Sequence, residues 1–141
     1  MREIKFRGEK VDNGERIVGF LELHLVNGDL TKTKQDAFIT YDYMDKIGKV
    51  YRDRFDVIPE SVSQFTGLHD KNGKEIYEGD IVDHFGLNIK NEVIFKDGAF
   101  GYNHEHNSFI SYAENSWFQW KEGKSEEIEV NGNIYESSEA I

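Results

Sequence analysis

The stretch Gln64-Phe65-Thr66-Gly67-Leu68-His69-Asp70-Lys71-Asn72-Gly73-Lys74-Glu75-Ile76-Tyr77-Glu78-Gly79-Asp80-Ile81-Val82 decides how the rest of the chain is read. Two strand-like runs flank an Asn-Gly pair, and a Glu-Gly-Asp step leads into a third apolar run. Asn72-Gly73 suits a type I′ turn, since both central residues of that turn need φ > 0 and these two types tolerate it best. Gly79 lets the backbone bend where a Cβ would clash. Ile81-Val82 then re-enters a core. The stretch predicts the inner corner of a small antiparallel sheet.

Outward from this corner the punctuation repeats. Asn13-Gly14, Asn27-Gly28, Asp97-Gly98 and Asn131-Gly132 join Asn72-Gly73 as turn dipeptides. The segments between them are rich in Val, Ile, Phe and Tyr, which favour strands. Upstream, Glu3 to Arg7 alternates, with Ile4 and Phe6 on one face. Arg16 to Val26 is a long strand with Phe20, Glu22 and His24 on one side and Leu21, Leu23 and Leu25 on the other. Ala37 to Tyr41 and Val50 to Val57 are further strands, with Met44 to Lys49 a loop between them, and Pro59 stops the second. Downstream, Ile76 to Phe85 and Ile89 to Phe95 read as neighbouring strands around Gly86-Leu87-Asn88. Ala99 to Tyr102, Phe109 to Tyr112 and Glu127 to Ile134 complete the pattern. Residues 113–121 read as a loop or a single helical turn, and the tail from Tyr135 as polar and frayed or one short helix. No repeat and no amphipathic helix stands out.

Composition narrows the function classes. The chain has 141 residues, ten Phe, seven Tyr, two Trp and no cysteine. Aromatic bulk offsets a modest apolar fraction and predicts a folded protein. Disulfides, thiolate catalysis and cysteine-based zinc sites are excluded. The charged start has no apolar segment of a signal peptide, and no run approaches the length of a membrane helix, so a cytoplasmic location is expected. Net charge is −10; residues 71–141 carry 6 basic and 14 acidic side chains, against 11 and 13 in residues 1–70. Such a balance speaks against direct nucleic-acid binding, which needs a basic stripe.

Three groups of side chains carry chemistry. His104 and His106 share a face if extended, and His84 or His69 would have to supply a third metal ligand. Histidine pairs in polar segments are mostly solvated, so no metal is expected. Glu75, Glu78, Asp80 and Asp83 cluster in sequence, a pattern that serves acid–base work or Mg²⁺. An aspartate following a turn glycine, as Asp80 does, more often bonds nearby backbone amides. Trp117, Phe118 and Trp120, with Tyr112 nearby, form the densest aromatic group, and core burial is favoured over an interface. No catalytic triad, phosphate loop or zinc-protease pattern is present, and no catalytic residue or cofactor is expected.

The run from Phe65-Thr66-Gly67-Leu68 to Asp80-Ile81-Val82 resembles the YopX family of bacteriophage and prophage proteins. So do the opening Met1-Arg2-Glu3-Ile4-Lys5-Phe6-Arg7, Val57-Ile58-Pro59-Glu60-Ser61-Val62 and Asn131-Gly132-Asn133-Ile134-Tyr135-Glu136, in the same order. The resemblance implies a small phage-encoded, mainly β protein whose later half is an SH3-like barrel, and it supplies no catalytic residues. The expectation is therefore antiparallel hairpins, with an N-terminal β-subdomain over residues 1–60 and an SH3-like barrel with a short tail over residues 61–141. The expected function is a non-enzymatic module that binds a host or phage protein or itself as a homo-oligomer. The alternatives are an acidic mimic of nucleic acid that blocks a host DNA-binding enzyme, and a metal-dependent hydrolase or nuclease.

Overall fold

The computed structural model describes residues 3–25, 35–104, 108–113 and 118–134. These residues hold twelve strands and one 3-10 turn at Pro59–Ser61. Every pairing between strands is antiparallel, as the turn dipeptides predict. The Asn27-Gly28 pair, His106, Trp117 and the tail from Tyr135 lie outside the described residues. By internal contacts the chain forms two compact units, Glu3–Gln64 and the unit from Phe65 onward.

The N-terminal unit is a sheet of β1 (Phe6–Glu9), β2 (Arg16–Leu25), β3 (Gln35–Met44), β4 (Val50–Val57) and the first residues of β5 (Ser63–His69), in the order β4-β3-β2-β1-β5. Alternation sends Ala37, Ile39 and Val57 to one face, where they are buried with Phe6, Ile17, Leu21 and Val62 against them. β2 serves two neighbours in turn. Arg16 to Gly19 pair with β1, and Phe20 to Leu25 pair with β3. Gly19 sits at the hand-over because a Cβ there would lie 2.2 Å from the Thr40 carbonyl oxygen. The first strand begins at Phe6, later than the alternation from Glu3 predicts, because its register runs from Phe6↔Gly19 to Glu9↔Arg16.

The C-terminal unit contains the rest of β5 paired with β6 (Glu75–Tyr77), and two three-stranded sheets. One has the order β12-β7-β8, with β7 (Asp80–His84), β8 (Lys90–Glu92) and β12 (Ile128–Asn133). The other has the order β11-β10-β9, with β9 (Ile94–Lys96), β10 (Ala99–His104) and β11 (Ser108–Ser111). Among the described residues the sheets are not closed into a barrel, and these ladders do not establish the SH3-like form implied by the family resemblance. The break is at Val93. Its N–H donates to the Asp80 carbonyl and its carbonyl accepts from Gly79, and the chain then passes from the β7 sheet to the β10 sheet. Ile76, Val82, Val93, Phe100, Tyr102, Tyr112, Phe118, Ile128 and Val130 form the core of this unit. Fully burying each such side chain stabilises by about 1.5–3 kcal/mol before entropy is counted.

The central turn differs in type from the sequence expectation. Gly73 has φ 80°, but Asn72 is not among the residues with positive φ. The Gly73 N–H donates to the Asp70 carbonyl and the Asp70 N–H to the Lys74 carbonyl. This is a three-residue loop, a type I turn closed by a left-handed glycine. The reason is Asp70, whose Oδ1 accepts from the amides of Asn72 and Lys74, both at 2.9 Å. The same device recurs between β3 and β4, where Asp45 Oδ1 accepts from Ile47 and Lys49 and Gly48 has φ 89°. Both turns read Asp-Lys-Xaa-Gly-Lys, a short local repeat that the sequence reading passed over. Type I′ turns do occur, at Asp97-Gly98 and at Phe85-Gly86. Asn131-Gly132 is not a turn. It lies inside β12, where the register against β7 slips between Val130 and Gly132 as a bulge.

Candidate functional site

Groups with reactive side chains are built into the core or onto the backbone. His84, at the end of β7, is 4% exposed. Asn91 Nδ2 lies 3.1 Å from its Nδ1, and the Tyr112 hydroxyl lies 2.9 Å from its Nε2. An amide nitrogen only donates, so Nδ1 accepts and Nε2 carries the proton toward the Tyr112 oxygen. The rings of Tyr102, Phe118 and Tyr112 enclose the imidazole at centroid distances of 4.0, 5.2 and 5.8 Å. Burial lowers the His84 pKa to about 4, with Asp83 opposing and His104 adding to the effect. Burial also pushes the Tyr112 and Tyr102 hydroxyls upward. The imidazole is thus neutral, held at both nitrogens, and closed to solvent.

The carboxylates behave alike. Asp70 is fully buried, and its Oδ2 accepts from the Val130 amide at 2.9 Å, so one side chain ties the central turn to β12. Asp80 is buried and accepts from the Tyr77 amide at 2.8 Å, the backbone role that its place after Gly79 predicts. Glu75 accepts from the Tyr77 hydroxyl, and half-buried Asp83 from the Ile89 amide. The sequence cluster therefore does not converge on one point. His69 is half-buried and His104 exposed. Among the described residues no three of His, Asp and Glu come together as a metal site. Phe118 is buried and Trp120 half-buried with its indole N–H on the Tyr112 carbonyl, so these two belong to the core.

The unassigned surface lies elsewhere. β3 and β4 pair from Ala37↔Val57 out to Met44↔Val50, while β2 pairs with β3 only as far as Thr40. Residues 41–44 and 50–53 therefore continue as a two-stranded ribbon, closed by the Asp45–Lys49 turn. Tyr43 stands opposite Tyr51, stacked at 5.3 Å and 19°. Tyr41 stacks on Phe55 at 5.7 Å and 16°, and Lys10 lies over that Phe55 ring. Met44 and Val50, one residue on, point to the other face. Exposure is 44% for Tyr43, 66% for Met44, 89% for Ile47, 58% for Val50 and 37% for Tyr51.

Polar clamps fix the ribbon. Arg52 grips Asp42 with two bonds, 2.7 Å from Nε and 3.1 Å from Nη2. That bond lowers the Asp42 pKa and raises that of Arg52. The Lys49 amide, then that of Ile47 and the Tyr51 hydroxyl, hold the Asp45 carboxyl below its ordinary range. Arg54 bonds Glu22 and lies 3.7 Å over the Phe38 ring. The ribbon is thus preformed, with its apolar side chains turned outward. Sequence reasoning favoured core burial for Trp117, Phe118 and Trp120 and kept an interface there as its second reading, so it had no candidate on the ribbon. The signal it passed over was Ile47 inside a polar turn, flanked by Tyr41-Xaa-Tyr43 and Tyr51.

A model of the YopX protein family matches residues 5–141. Among solved structures, the crystal structure of protein EF1440 from Enterococcus faecalis is similar over 99% of each chain, with a TM-score of 0.55 and 22% identity. That likeness concerns the fold alone. No curated protein matches the chain.

Proposed function

The chain belongs to the YopX family, and from that premise we propose that it is a non-enzymatic module that works by holding a protein surface, its own or another's. One observation carries this reading: the large outward apolar side chains Tyr43, Met44, Ile47, Val50 and Tyr51 gather on one preformed ribbon. Apolar clusters of that kind on a folded surface mark interaction sites. The buried ionisable groups, by contrast, serve turns and packing. A bacteriophage or prophage origin belongs to the same proposal, as does a cytoplasmic place in the host cell. The lack of cysteine suits a reducing compartment, and no helix of the described residues is long and apolar enough to cross a membrane.

The test compares wild type with Ile47→Asp as immobilised bait for the purified chain and for proteins of the host cell. The reading predicts that a bound protein, the chain itself or another, is lost with the variant. Equal retention by both baits, or no retention by either, would sink it.

A further inference from the structure

Resting on that reading, we propose that the occupant of the β3–β4 ribbon is a second copy of this chain, in a two-fold contact of ribbon against ribbon. Three features point to a copy.

The first is the support the ribbon has. Beyond Thr40 it pairs with no further strand among the described residues. A lone two-stranded hairpin is marginal in water, and stability comes from a third element or a packed face. Among the described residues the apolar core of its own unit is small, with Ala37, Ile39 and Val57 as its buried hydrophobic side chains. A second ribbon laid on the Tyr43–Tyr51 pair supplies the missing layer, as sheets need one.

The second is charge. Residues 41–53 hold three acidic side chains, Asp42, Asp45 and Asp53, and three basic ones, Lys46, Lys49 and Arg52. The ribbon is neutral on a chain of net charge −10. Two copies of such a chain repel over most of their surface, most of all through residues 71–141 with 14 acidic and 6 basic groups. A neutral apolar strip with both signs interspersed is where like copies approach at least electrostatic cost. A strongly basic or acidic partner gains nothing there.

The third is area. The face that carries Tyr43 and Tyr51, with Ile47 at the turn, can be covered by one such ribbon; Met44 and Val50 point away from it, so the contact removes roughly 400 Å² per copy, hence about 800 Å² in total, the size of a weak, transient contact. That size fits a reversible dimer. The geometry also limits growth. The outer edge of β4 is met by Lys10 and Val11 at Val57 and Asp56; before that point it carries Arg52-Asp53-Arg54, and charges on an edge strand oppose strand-to-strand extension. The contact is therefore face to face through side chains, and a two-fold of this kind closes at two copies.

Sedimentation velocity of the full chain from about 1 to about 500 µM tests this, spanning the micromolar affinities such an area supports. Wild type is expected to pass from monomer to dimer, and Ile47→Asp and Tyr51→Lys to move the midpoint up by about tenfold or more. Ile47 is almost fully exposed, so a circular dichroism spectrum matching wild type shows that its variant is folded. A monomer at every concentration, a dimer indifferent to both variants, or a trimer or filament would overturn the proposal. If wild type stays monomeric while the Ile47→Asp bait loses a different bound protein, the copy-to-copy contact falls and the binding-module reading stands. If the bait is also unaffected, both fall.

Discussion

Acidifying the protein from pH 7 to pH 5 should remove a defined part of its stability through one side chain, His84. The folded pKa lies near 4, below the ordinary 6.5. The sign follows from which state takes the proton. Between the two values the unfolded chain binds a proton that the folded chain refuses, so stability rises with pH across this window. The contribution is complete above about pH 6.5 and is lost as pH falls toward 4. Each pH step of one is worth about 1.4 kcal/mol, giving about 2 kcal/mol lost by pH 5 and about 3 kcal/mol by pH 4. That is a large share of the 5–15 kcal/mol typical of a domain. Geometry explains the refusal. A proton on Nδ1 would face the Asn91 amide donor inside a wall of rings. Asp42, Asp45 and Glu22 do not confuse the window. Their pKa values lie below the ordinary 3.8 of Asp42 and Asp45 and 4.5 of Glu22, so their contributions fade at lower pH. Urea denaturation from pH 7.5 to 5, in wild type and in His84→Gln, reads the effect. The variant should start less stable and show a flatter profile. Equal slopes in the two proteins, or an imidazole resonance of His84 titrating near 6.5, would refute the argument.

Asp70→Ala leaves the amides of Asn72, Lys74 and Val130 without their acceptor, and should cost about 3–5 kcal/mol in urea denaturation. Asp45→Ala removes the matching turn acceptor at a position far more open to solvent than Asp70 and should cost clearly less in the same assay. Gly101→Ala would place a Cβ 2.0 Å from the Ile110 carbonyl oxygen, so β10 and β11 must part; a loss of about 2–3 kcal/mol is expected, read by tryptophan fluorescence. Tyr112→Phe keeps the ring but removes the oxygen facing His84 Nε2, and a loss of about 1–2 kcal/mol should appear at pH 7.

Much of the fold was legible in residue order because alternation and turn chemistry are local. Val50 to Val57 forms a strand over its predicted range, and Arg16 to Leu25 nearly so, since each shows a period of two. The turn type at Asn72-Gly73 was not legible from that pair. The deciding residue is Asp70, whose carboxylate also answers Val130 sixty positions away. Asn131-Gly132 carries the same turn chemistry, yet the ladder against β7 absorbs it as a bulge. Phe85 takes a left-handed conformation that sequence statistics disfavour, and its ring stacks on Phe118. The exposed ribbon was hidden for another reason. Tyr43 and Tyr51 read as ordinary strand aromatics, and only the point at which β2 leaves β3 shows that they stand uncovered.

The outer half of the β3–β4 hairpin is either a contact surface or bare. Hydrogen exchange of the amides of residues 41–53, followed at about 1 µM and at several hundred µM, addresses this directly, since exchange reports local opening. Slower exchange in this segment at the higher concentration, with unchanged rates in the β7–β12 ladder, is the predicted result. Identical rates at both concentrations would contradict it.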